Sequence, residues 1–426
     1  MRPRACVAIC LLFLAFASAQ AADRGLAGRL IVGYQGWFGC PGDYLDNKDW
    51  HHWFVGRAEP RSLTVDVLPA VGEFRAEDLC DTGLKRADGS AVRVFSSQNA
   101  RVVATHFDWM KANGIGGVAF QRFVTHTRDP GLRKRSDNVL THVRNNAERT
   151  GRVFYVTYDV AGADERSVDE DIRRDWKYLA DVLKVTRSAA YLKKDGRPFV
   201  QLWGFGFKGH PGTADQAARL VSDLKNGRDG LASAAVIGGV PTGWRTLSAD
   251  SKSELQWAAV YRSFDVISPW SVGRFSDEAG ADSFRRTYLE PDIAETRKLR
   301  LEYMPVVFPG FSWHNLMQTR KEPGKAILNQ IPRRCGRFLW RQFYNALEQR
   351  PQAVFAAMFD EVDEGTALFK LEAASVPPPV GVTVVPLDVD GCVLPDDWYL
   401  RITRKAAQLL GNGHPPTKAL DEAALR

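Results

Sequence analysis

The chain has 426 residues, 45% of them hydrophobic, and a formal net charge of +7. That charge is mild for the length, and the basic residues are scattered rather than gathered in a run or interleaved with aromatics. This argues against nucleic acid as a partner and leaves only an exposed basic face open. The length allows two or three domains as a prior.

The N-terminus carries Arg2 and Arg4, an apolar run from Ala5 to Phe16, then Ala17, Ser18, Ala19 and Ala21. This is the three-part layout of a cleaved secretory signal, expected over residues 1–21. The run is too short for a spanning anchor, and Cys10 lies inside it, which disfavours a lipid-anchored start. The mature protein is expected to be secreted or periplasmic, with no stable membrane anchor after cleavage. An uncleaved anchor and a buried N-terminal helix are the alternatives.

Cleavage removes Cys6 and Cys10 and leaves Cys40, Cys80, Cys335 and Cys392. Widely spaced cysteines of even number in an exported chain suggest disulfides, with three connectivities open. Pairing Cys40 with Cys80 and Cys335 with Cys392 would brace two long excursions; free buried thiols are the alternative. No CxxC is present, so zinc-ribbon and thioredoxin-like readings fail.

Eight apolar runs read as parallel strands covered on both faces. They are Leu30–Phe38, Gly116–Phe123, Val153–Asp159, Pro198–Phe205, Ala234–Val240, Val266–Val272, Tyr303–Phe311 and Val354–Phe359. Helical patterns alternate with them at Val102–Lys111, Asn138–Thr150, Asp169–Arg187, Asp215–Leu224, Glu254–Tyr261, Asp282–Leu299, Arg334–Leu347 and Trp398–Leu410. Eightfold alternation predicts an α/β fold, a single (β/α)8 TIM barrel over residues 22–426, with a doubly wound open sheet as the alternative. Long loops follow strands 1 and 8, at residues 39–95 and 365–397. Both fall on the rim where such barrels carry function.

Polar and aromatic residues close these runs. Tyr34, Trp37, Tyr158, Asp159, Trp203, Arg245, Trp270 and Trp313 are candidate substrate-binding residues, because flat rings stack on sugar C–H faces while charged groups bind hydroxyls. Trp37, Trp270 and Trp313 could equally be core, and Trp109 and Trp176, inside helices, are expected to be core. The eighth run ends in Met358-Phe359-Asp360-Glu361-Val362-Asp363-Glu364-Gly365-Thr366. Four carboxylates so close repel one another and are costly beside a buried strand unless a partner or a function retains them. Glu361 and Glu364 share a face if the chain turns helically there, and two such carboxylates can divide acid and base roles in glycosidic cleavage. A solvated acidic loop and a calcium or magnesium site are the competing readings.

Gly310-Phe311-Ser312-Trp313 lacks the second glycine of a nucleophile elbow, and no GxGxxG opens a helix. The pair His51-His52 within Trp50-His51-His52-Trp53 invites a metal reading, which adjacent histidines alone do not sustain. No glycosylation sequon occurs. No cofactor and no metal are expected.

On these residues the chain resembles the family 71/99-like glycoside hydrolases. In the endo-α-mannosidase branch, family 99, the corresponding segment runs Asn-Glu-Trp-His-Glu-Gly-Thr. Glu361, Glu364, Gly365 and Thr366 match it, while Asp360, Val362 and Asp363 differ. Family 71, the α-1,3-glucanases, has the similar pattern Asn-Asp-Tyr-Gly-Glu-Ser. Gly33-Tyr34-Gln35-Gly36-Trp37-Phe38 also looks like the opening strand of family 99. The resemblance implies a retaining hydrolase acting on an α-mannoside or α-glucan. Glu361 would be the base that deprotonates the sugar's 2-hydroxyl, Glu364 the acid/base, and Asp360 a sugar contact. Glu361 is expected to be the more ionised of the pair at neutral pH. The competing class is a barrel that binds carbohydrate without cleaving it.

Overall fold

The computed structural model describes residues 25–425. The expected signal over residues 1–21, with Cys6 and Cys10, lies outside them. No helix among the described residues is long and apolar enough to cross a membrane.

The apolar runs form a ring of parallel strands. They are β1 (Arg29–Tyr34), β2 (Gly117–Phe123), β3 (Val153–Asp159), β4 (Arg197–Trp203), β5 (Ala235–Val240), β6 (Val266–Pro269), β7 (Glu302–Tyr303, resuming at Val306–Val307) and β8 (Ala353–Ala356). Every residue of β3 and β5 is buried, which is why these segments read as unbroken apolar stretches. Neighbours pair in sequence order, and β1 pairs with both β2 and β8. Closure runs through β7. Pro305, which has no N–H to donate, interrupts the strand. The first half pairs with β6, and the second pairs with β8. Helices such as Ala100–Ala112, Pro130–Thr150, Ala214–Asn226, Arg337–Leu347 and Trp398–Asn412 cover the outside. Packing between β2 and β3 is close: a Cβ on Gly117 would stand 2.2 Å from the Val153 carbonyl oxygen. Trp109 and Trp176 are buried core residues, as their helical spacing predicts.

Three differences from the expected strands bear on function. β1 ends at Tyr34 rather than Phe38, because Gly36, at φ +62°, turns the chain away from the sheet. β7 is two short pieces rather than one run to Phe311. β8 ends at Ala356, so residues 357–364 build the rim instead of extending the barrel.

The two long loops fold against each other. The first contains an antiparallel hairpin, Leu79–Lys85 with Ala91–Phe95, absent from the expected elements. Bridges Pro69 to Leu371 and Arg86 to Pro379 join it to the second. Disulfides Cys40–Cys80, with Cα atoms 6.4 Å apart, and Cys335–Cys392, at 6.1 Å, brace the two excursions.

Candidate active site

Side chains alternate between the two faces of a strand, so register decides which residues meet inside the barrel. Gln121, Thr157 and Gln201 are register partners across β2, β3 and β4, as are Phe123, Asp159 and Trp203 one step nearer the rim. Both triplets line one cavity of about 340 Å3 at the carboxyl ends of the strands, together with Gln35, Trp37, Trp270, Glu361, Asp363 and Glu364. The triplet between them, Arg122, Tyr158 and Leu202, points outward.

The acidic segment forms the side of this cavity. Asp360 is fully buried and accepts the backbone N–H groups of Gln35 at 2.7 Å and Gly36 at 2.8 Å. It thereby ties the end of β8 to the turn after β1. Burial pushes its carboxyl up to about 7. Glu361 is held at both oxygens, by the Gln35 amide Nε2 and the Thr366 hydroxyl, each at 2.7 Å. Burial, and then repulsion from Glu364 and Asp363, raise it well above the ordinary glutamate range. Glu364 is half-buried and faces the cavity. Burial and Asp363 push it up to about 7, against the opposing field of Arg320. Both carboxyls are therefore raised, and standing this close they titrate as a pair.

Asp159, 4% exposed, accepts the Gln121 amide at 2.9 Å and the Ala161 N–H at 2.7 Å, and burial pushes it up to about 7. Trp203 and Trp270 meet edge to face, with centroids 5.3 Å apart. Trp37 lies flat between Phe123 and His52, at 5.3 Å and 3.9 Å. Five buried polar atoms on cavity-lining residues have no protein partner: Gln35 Oε1, Trp37 Nε1, Trp203 Nε1, His210 Nδ1 and Asp363 Oδ1. Arg320 is the only arginine or lysine among the lining residues. Among the described residues, no three His, Cys, Asp or Glu side chains form a group able to hold a metal ion.

Of the residues expected to bind substrate, Trp37, Asp159, Trp203 and Trp270 line the cavity, with Glu361 and Glu364. Asp360 stands behind them as a backbone clamp rather than a lining residue. Tyr34 points outward, its hydroxyl 2.9 Å from His106 Nδ1. Tyr158 also points outward and donates to Asp175 at 2.8 Å, on a buried carboxylate shared with Arg122. Arg245 is paired with Asp292 at 2.9 Å, outside the cavity. Trp313 packs edge-on against Phe311 at 5.1 Å, also away from it. Strand parity accounts for the tyrosines: each is one residue out of phase with the inward set. The same rule would have found Gln35, Gln121 and Gln201. His52, His126, His210 and Arg320 lie beyond the strands, and no sequence periodicity marks them.

The class defined by this fold and rim is a (β/α)8 barrel with an acidic, tryptophan-walled cavity at the carboxyl ends of its strands, the position where such barrels carry chemistry. Within that class, the chain is similar to two solved structures of the GH99 endo-α-mannosidase from Bacteroides thetaiotaomicron. One, in complex with bis-tris propane, is 15% identical, has a TM-score of 0.64, and covers 91% of this chain and 98% of its own. The other is 14% identical, has a TM-score of 0.65, and covers 92% and 100%. No protein-family model matches the sequence, and no curated protein matches it.

Proposed function

We propose that this chain is an exported, retaining glycoside hydrolase acting on an α-mannoside or α-glucan. The observation that carries the reading is the pairing of Glu361 and Glu364 on a cavity whose other walls are the rings of Trp37, Trp203 and Trp270. Flat rings take sugar C–H faces, and the unpartnered Gln35, Trp37, Trp203, His210 and Asp363 atoms suit sugar hydroxyls. Likeness to the GH99 endo-α-mannosidase fold over the whole barrel supports the same reading.

The sequence resemblance assigns the steps. Glu361, in its carboxylate form, removes the proton of the sugar 2-hydroxyl, and that oxygen attacks C1 of the same sugar. Glu364 protonates the departing glycosidic oxygen as its bond to C1 breaks, leaving an anhydro sugar. Glu364, now ionised, takes a proton from water, which opens the anhydro ring at C1 as O2 regains its proton from Glu361. Each carboxyl ends as it began. The Gln35 amide and Thr366 hydroxyl both donate to Glu361 and so favour its carboxylate against burial. A raised acid at Glu364 suits proton donation near neutral pH.

Glu364→Gln is expected to abolish turnover while sugar binding measured by calorimetry persists; an unchanged rate sinks the assignment. Fresh product followed by proton NMR should appear first as the α anomer, and first appearance of the β anomer removes the retaining mechanism.

A further inference from the structure

Of the Trp50-His51-His52-Trp53 run, His51 bonds Asn47 within its own loop at 3.1 Å, whereas His52 reaches the acidic segment. Its backbone adopts φ +57°, a left-handed conformation costly for a residue with a Cβ. The ring is stacked on Trp37 at 3.9 Å and within 5° of parallel. Its Nδ1 lies 3.1 Å from Asp363 Oδ2. Asp363 stands in sequence between the paired glutamates, is 3% exposed, and has no partner on its other oxygen. Among the described residues, His52 is the only basic side chain within ion-pair distance of it.

We propose that His52 is a positioning residue of this site, a ring clamped on Trp37 whose hydrogen bond to Asp363 offsets the field of that carboxylate at Glu361 and Glu364. The inference rests on the hydrolase reading for its kinetic consequence alone. Repulsion from Asp363 raises both glutamates, so its field reaches them. The other groups facing His52 do not take its place beside Asp363. His51, beside it, and His126, on the turn after β2, are pushed down to about 4, chiefly by burial, and are neutral at neutral pH. Arg135, which faces His51 from the Pro130–Thr150 helix, is committed to Asp43 at 2.9 Å. The left-handed backbone and the stack hold a ring whose replacement by phenylalanine keeps the stack and removes the bond to Asp363.

The test is the titration midpoint of Glu364, read by carbon NMR on protein labelled at the glutamate carboxyls, without sugar, its signal assigned by loss in Glu364→Gln. His52→Phe leaves Asp363 unbalanced and should raise the midpoint by about one pH unit. Asp363→Asn removes the charge at its source and should lower it, with the histidine untouched. The double variant should match Asp363→Asn. An unmoved midpoint in His52→Phe, or a double variant that matches His52→Phe, overturns the proposal. The pH profile of kcat should move in the same directions. Midpoints that shift as stated in a protein that cleaves no glycan support the role of His52 and count against the hydrolase.

Discussion

Asp159 keeps both oxygens hydrogen bonded and yet sits at about 7 because burial outweighs the bonds. The folded protein thus holds this proton more tightly than the unfolded chain does. Its contribution to stability is present in full below the ordinary aspartate value and is lost as pH rises through about 7. Asp360 acts in the same sense. His51 and His126 act oppositely, stabilising above the ordinary histidine value and losing that contribution as pH falls towards 4. Asp159→Asn cancels one carboxyl term alone, so its Tm should gain on wild type as pH rises from about 5 to about 8. Parallel Tm curves would contradict the burial argument. Glu364 gives a kinetic counterpart. If it is the acid, kcat falls above about 7 as its proton is lost, approaching tenfold per pH unit.

At the scale of strands, the barrel was legible because parallel strands covered on both faces are apolar throughout, and β3 and β5 are buried end to end. That same continuity hides which side chains face inward. An unbroken apolar run carries no alternation to read, so Tyr34 and Tyr158 looked as eligible as Asp159 and Trp203. The acidic segment escaped this ambiguity, since four carboxylates at a strand end stand out whatever the phase. Glu361 and Glu364 were therefore readable as cavity residues, while the place of Asp360 behind them was not, because it depends on the turn after β1. Close strand packing makes its own prediction. Gly117→Ala puts a methyl group 2.2 Å from the Val153 carbonyl oxygen and should cost at least about 1–3 kcal/mol by urea denaturation. Gly72→Ala, whose Cβ meets nothing within 4 Å, should change little.

For the whole molecule, the 39–95 and 365–397 loops form one surface over the rim. Asp66, from the first loop, accepts the backbone N–H groups of His314 and Asn315 at 2.6 and 2.8 Å, locking the loop after β7. His52 and Asp363 meet across the first loop and the end of β8, a contact 311 residues apart in sequence. Such pairings follow from loop conformation rather than periodicity, which is why pattern reading found the loops and not their content. Disulfides spanning 40 and 57 residues constrain them. By chain entropy each contributes about 4 kcal/mol. Replacing Cys335 and Cys392 by serine should lower unfolding stability by up to that amount, and an unchanged denaturation midpoint would show that the bridge constrains nothing. The most direct measurement for the molecule as a whole is product release from a panel of α-linked mannan and glucan fragments, comparing wild type with Glu364→Gln. Free sugar from at least one fragment with wild type, and none with the variant, is the expected result. Binding without product from wild type, or equal product from both, would contradict the assignment of Glu361 and Glu364 as a hydrolytic pair.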